Sequence, residues 1–247
     1  MLLNTVILCI NQCLPIALLW VLMLQCVRNS KLPLLHALSA IGIGVIGCIA
    51  YLQAAGVISQ WFDYRGFEVS QIFLLVLLYA NLLLITLKPR IIWQQTALAL
   101  SVITYLSHFL TYLNSFMSAD ALQSLLVGTI LGLGICFSFS TLLYFLLAST
   151  QSTRSTYWLM LLFALHAASK ISVASDLSTQ IDLLASTPSV VDLRWFLDEH
   201  SVFGRVFKVL LGYEASPSWL NLTTYIGGAG AFYLVWLARG RKREVAI

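Results

Sequence analysis

Seven long stretches of predominantly apolar residues run through the 247-residue chain, and their spacing constrains the fold more than any motif in it. A helix needs roughly twenty apolar residues to cross the hydrocarbon layer. Lipid offers backbone N–H and C=O groups no partner, so a spanning segment must satisfy them internally. The spans fall at about 3–27, 33–58, 67–87, 91–116, 121–148, 156–174 and 218–238. The expected fold is therefore all-α: a polytopic membrane helix bundle of about seven transmembrane helices, forming one membrane domain over residues 1–247. With 60% hydrophobic and 10% charged residues, the chain lies far from the balance of a soluble domain.

The formal charge of +4 does not point to a nucleic-acid partner, because the basic residues are spread over short connections and the C-terminal end. Lys and Arg beside span ends set orientation in a bilayer. Seven spans put Arg28, Lys31, Lys88, Arg90, Arg154, Arg239, Arg241, Lys242 and Arg243 on one side. Asp63, Glu68, Asp120, Asp176, Asp182, Asp192, Asp198, Glu199 and Glu214 fall at the other. The expectation is a retained first helix with the N-terminus outside, a basic cytoplasmic tail at 239–247, and a place in the plasma (inner) membrane. Residues 175–217 then form an extracytoplasmic amphipathic segment. Cys9, Cys13, Cys26, Cys48 and Cys136 lie in or beside apolar runs without metal-site spacing.

Within the outer segment, Val190 to Pro217 mixes seven charged side chains with Trp195, Phe196, Phe203, Phe207, Leu210, Leu211 and Tyr213. So much apolar surface argues against a disordered linker and for a short amphipathic pair of helices on the outer end of the bundle. Gly42, Gly44 and Gly47 in span two, and Gly128, Gly132 and Gly134 in span five, suit close helix packing. The span count permits a 3+3 inverted repeat plus one helix, although no internal repeat is visible in the sequence.

Polar side chains inside spans carry the functional information, since lipid leaves them unsatisfied. Asn11 and Gln12 precede Pro15, whose ring frees the carbonyl of Asn11. This is either a kink tied by interhelical hydrogen bonds or a polar site. In span four Thr104, Ser107, His108, Thr111 and Ser115 share one helical face, and His108 suits a metal, a proton relay or a plain buried hydrogen bond. Glu68 starts span three, as a site or as an interfacial residue. His166, Ser169 and Lys170 share a face in span six, where Lys170 is expected to snorkel outward. GxSxG, HExxH, P-loop and Rossmann patterns are lacking, so nothing points to an enzyme.

Asp192-Leu193, Leu197, His200-Ser201, Phe203-Gly204, Gly212-Tyr213 and Pro217 resemble, in order and spacing, the segment before the last helix in the oxidase-dependent iron permease family, which covers fungal high-affinity iron permeases and their bacterial relatives. The resemblance implies two Arg-Glu-x-x-Glu motifs whose carboxylates pass iron. Carboxylates three apart share a helical face, and oxygen ligands suit a hard cation. Here the first motif aligns with Asn11-Gln12-Cys13-Leu14-Pro15 and the second with Ser107-His108-Phe109-Leu110-Thr111, so the arginines and all four carboxylates are replaced. Glu68 matches the family's acidic residue at the start of span three, and the acidic motif near the end of span six is lacking around Val173 and Ala174.

The resemblance thus implies an iron permease-like transporter moving iron or a related transition-metal ion as its cargo, with no other cofactor. Asn11, Gln12, Glu68, His108 and Thr111 would line the path, and Asp198, Glu199 and His200 would form an outer mouth or merely a solvated helix end. Histidine in place of carboxylate shifts preference towards divalent metals. An extracytoplasmic oxidase or metal-binding protein and a membrane partner subunit are the expected partners besides the lipid bilayer. The alternative is a transport-incompetent relative acting as a scaffold in a metal-handling complex.

Overall fold

The structure, a computed structural model, describes all residues except 1, 28–31, 117–121, 150–152, 196, 200 and 245–247, with backbone alone for 153–155, 202, 203 and 240–244. The expected roles of Arg28, Lys31, Asp120, Phe196 and His200 lie outside the described residues. Nine helices are described: α1 Leu2–Cys26, α2 Leu34–Ile58, α3 Trp61–Tyr64, α4 Gly66–Leu87, α5 Ile91–Ser115, α6 Leu122–Ser149, α7 Thr153–Gln180, α8 Val202–Leu211 and α9 Trp219–Glu244. Six of them, α1, α2, α4, α5, α6 and α7, are long and apolar enough to cross a membrane. The chain is an all-α integral membrane protein. The seventh expected span forms as α9, 26 residues long, but Asn221, Thr223, Thr224 and three glycines make it less apolar than the rest.

Local chemistry explains the boundaries. Pro89 forces Lys88 out of helical geometry, φ −134°, and ends α4. The sixth span runs past the expected limit at residue 174 to Gln180, because Ser172 and Asp176 find partners on α9 and helix remains the way to satisfy the backbone between them. Between α2 and α4 the single turn α3 is left-handed, with φ of 53° at Phe62 and 56° at Asp63.

The packing has an internal two-fold order. α1 packs on α6 as α5 packs on α2, α4 meets α5 as α7 meets α1, and the pairs α1 with α5 and α4 with α7 map onto themselves. The halves are thus α1, α2, α4 and α5, α6, α7, each of three spans and so of opposite orientation, with α8 and α9 added. Glycines set the register. A Cβ on Gly132 of α6 would lie 2.6 Å from Cys9 Cβ and 3.2 Å from Val6 O of α1; one on Gly44 of α2 would lie 2.7 Å from Val102 Cβ and 3.0 Å from Ala99 O of α5. In both cases helix backbones approach to a distance no side chain permits.

At the end of the bundle carrying Lys88 and Arg90, an apolar core joins Leu19, Leu22 and Met23 of α1, Leu78, Leu82 and Ile85 of α4, Leu98 of α5, Phe163 of α7 and Phe232 of α9. Phe163 and Phe232 meet edge to face at 5.1 Å. Arg239 donates to the carbonyl of Thr86 at 2.7 Å, a cation on the C-terminal end of α4. α2 and α6 turn large apolar side chains outward, such as Ile46 and Phe137, a surface suited to lipid.

Candidate functional site

The opposite end of the bundle is built around α8. Instead of the expected pair of helices, residues 192–195 and 197–199 are turns and irregular backbone, and among the described residues of the segment before α9 only Val202–Leu211 is helical. Ser201 caps its start, accepting from Gly204 N at 2.9 Å. Gly212 ends it at φ 74°, with its N–H on Lys208 O at 2.8 Å.

α8 does not lie on the end of the bundle. Val209 and Leu210 pack against Leu14, Leu18 and Cys136, which sit midway along α1 and α6. His166, midway along α7, meets the Leu210 carbonyl through Nδ1 at 3.3 Å. A carbonyl only accepts, so Nδ1 carries the proton and the buried Nε2 is left without a partner. The Tyr225 hydroxyl donates to Leu211 O. Side chains of α7 and α9 therefore hold the last carbonyls of a helix that stops inside the bundle, which is what backbone at that depth requires. The expectation of a helix confined to the surface is corrected: its apolar face finds protein there.

Between α8, α1, α5 and α7 lies a cavity of about 420 Å³. Asn11, Gln12 and Pro15 of α1 line it, as do Tyr105 of α5, Ser169, Lys170, Ser172 and Asp176 of α7, Arg205 and Lys208 of α8, and Glu199, Tyr213 and Glu214 beside α8. Three contacts organise its walls. The Lys170 amine donates to the Tyr105 hydroxyl at 2.8 Å and lies 5.0 Å from that ring's centre. Glu199 accepts from Lys208 Nζ at 2.7 Å and from Ala215 N at 2.6 Å, tying the turns before α8 to the return after it. Buried Asn221 donates through Nδ2 to Asp176 at 3.0 Å and also to Glu214, while its Oδ1 accepts from Ser172. Burial, and then the charges of Asp176 and Glu199, push the Glu214 carboxyl up to about 7.

The residues singled out in the sequence divide between two places. Asn11, Gln12 and Glu199 are on the cavity wall. Glu68, His108 and Thr111 do not line it. Glu68 is half-buried in the first turn of α4, and its neighbour Phe67 stacks on Tyr51 at 5.7 Å and meets the His108 ring edge-on at 6.4 Å. Thr111 is exposed and, like Thr104, Ser107 and Ser115, spends its hydroxyl on a carbonyl of its own helix, at 2.8 Å to Ser107 O. Asp198 lies in the turn capped by Ser201, with its carbonyl accepting at 2.6 Å.

Lys170 is a correction. It does not snorkel outward but is 2% exposed, held inside by Tyr105. The glycine contacts give an internal correspondence between the two halves. Superposing Cys9 on Val102, as the glycine contacts require, pairs Asn11 with Thr104, Gln12 with Tyr105 and Pro15 with His108. Thr104–His108 is thus the internal counterpart of Asn11–Pro15, and Tyr105 faces the same cavity as Gln12.

Comparison with known protein families, with curated proteins and with solved structures finds no match. The geometry therefore stands by itself. Among the described residues no group of three or more His, Cys, Asp or Glu side chains could hold a metal ion. Sequence reasoning passed over Tyr105, Arg205, Lys208 and Asn221 as site residues, and read Asp176 and Glu214 only as acids of the outer side. The seven-residue spacing of Ser169 and Asp176 on one helical face, beside Lys170, was the available signal.

Proposed function

We propose that this protein is a permease-like membrane transporter, of the iron-permease type that its outer segment resembles, with iron or a related transition-metal ion as the cargo. One observation carries the reading: Gln12 of α1 and Tyr105 of α5, matched positions of two inverted halves, meet at one cavity that is closed by an apolar core towards the Lys88 end of the bundle. Transporters of inverted halves bind their substrates at such a place, near mid-membrane and beside broken helices. In this reading the α8 end faces outside and the basic tail lies in the cytoplasm of a plasma (inner) membrane. Glu199, with Asp176 and Glu214, forms the outer mouth, where an extracytoplasmic oxidase or metal-binding protein would deliver substrate.

The test is uptake of ferrous, ferric, manganese and zinc ions by proteoliposomes containing the purified protein. The expected result is uptake of iron in at least one form that falls at least tenfold in Gln12→Leu. Uptake no faster than in empty liposomes would sink the reading.

Lys170 favours a second reading, a transport-incompetent scaffold, because a buried ammonium on the cavity wall repels a bare cation. Under that reading, purification in mild detergent recovers a stoichiometric membrane partner and the liposomes stay inactive.

A further inference from the structure

The cavity walls carry three carboxylates, Asp176, Glu199 and Glu214, and three cations, Lys170, Arg205 and Lys208. Asp176 and Glu214 both accept from Asn221, and Glu199 is paired with Lys208 at 2.7 Å. The cations are less well matched. A protonated lysine amine has three N–H donors, and among the described residues the one hydrogen bond of Lys170 goes to the neutral hydroxyl of Tyr105. Among the described residues, no carboxylate lies within ion-pair distance of Lys170 or of Arg205. From α1, the amides of Asn11 and Gln12 reach the same cavity with no hydrogen bond to another described residue. A buried charge is costly unless it is paired, and although carboxylates line the same cavity, among the described residues neither of these two cations is paired with one.

Size and ligand chemistry narrow the occupant. About 420 Å³ lies within the range of pockets for small organic molecules and far exceeds what a lone ion needs. A hard metal ion needs several oxygen ligands, which no cluster of described side chains provides. A chelating anion would bring them with it.

We propose that the cavity binds a small organic anion with two or more carboxylates, one seated on Lys170 and the α1 amides and another on Arg205. This rests on the transporter reading of the cavity and names its cargo: a polycarboxylate, either free or wrapped around a metal ion. A bidentate carboxylate suits the planar guanidinium of Arg205, while the Lys170 amine holds its partner as a point charge.

The full-length protein in mild detergent tests this by calorimetric titration and thermal unfolding with citrate, ferric citrate, inorganic phosphate and ferrous ion alone. Citrate or ferric citrate is expected to bind and to raise the melting temperature. Tighter binding of ferric citrate than of citrate identifies the complex as the cargo, and equal binding identifies the carboxylate; either supports the proposal. Lys170→Met is expected to weaken binding at least tenfold. Should that variant not fold, Arg205→Gln, on the half-buried face of α8, decides by a loss of at least threefold. Failure of both citrate forms to bind the unaltered protein, an unchanged affinity in the deciding variant, or phosphate binding as tightly as citrate would overturn it. Uptake of bare metal without citrate binding defeats this inference alone, whereas citrate binding without any uptake defeats only the transporter reading.

Discussion

Lys170 illustrates how much one side chain sets at this site. Its amine is withdrawn from solvent against a phenol, a pairing that only partly offsets the cost of burying a charge. Without ligand, Lys170→Met is expected to raise stability by about 1 kcal/mol, since a flexible apolar chain of similar length fills the same space and only one hydrogen bond to Tyr105 is lost; a thermal melt in detergent checks the sign. Gly212 is constrained twice. Its φ of 74° favours glycine, and a Cβ there would lie 2.4 Å from Ser169 Cβ. Gly212→Ala should therefore cost about 2–4 kcal/mol and expose α8 to limited proteolysis. Neither feature was fully legible beforehand. The sequence marks Lys170 as a lone cation in an apolar run, but a lysine four carbons long reaches outward or inward equally well until a partner such as Tyr105 is located. Gly212 could be read as a helix stop, yet the helix it would press against could not.

At the level of elements, α8 and its return loop form the pH-sensitive part. Burial and the neighbouring acids hold Glu214 at about 7, above the ordinary carboxylate value. A carboxyl with a raised folded-state pKa contributes its stabilisation fully at acid pH and loses it as pH rises through that value. The melting temperature should therefore fall between about pH 5 and 8, and Glu214→Gln should flatten that part of the profile. An unchanged profile in the variant would remove Glu214 as its source. The interfaces of α1 with α6 and of α2 with α5 give a paired expectation. Gly132→Leu and Gly44→Leu each meet backbone and Cβ within about 3 Å and should lose about 1–3 kcal/mol, while Gly134→Leu, which meets open space, should be close to neutral. The long helices were legible because an apolar run of membrane length has few other uses. α8 was not. Val209, Leu210 and the charged residues around them describe an amphipathic helix equally well on a surface or inside a bundle, and the difference lies in Leu14, Leu18 and Cys136, distant in sequence.

Across the whole molecule, the fold was expected in class and in span positions, whereas its two-fold order emerges only from which helix packs on which. Asn11–Pro15 and Thr104–His108 share no residue identity, so nothing in the letters relates them, and the correspondence comes from Gly132 on Cys9 and Gly44 on Val102. An apolar core seals one end of the cavity, which gives a directional expectation. In a cysteine-free background, Gln12→Cys should react with a membrane-impermeant maleimide added on the α8 side and resist it on the side of Lys88 and Arg90. Equal labelling from both sides would contradict the sealed end. The helix that stops inside the bundle has a further consequence. Two like halves can exchange shapes, and in a symmetric molecule the two exchanged states would be equally populated at rest. α8 has no counterpart in the first half, and its contacts with His166, Tyr225 and Ser169 all favour one of those states. In the proposed transporter, this unmatched ten-residue segment would act as a resting bias, a standing preference for one access state.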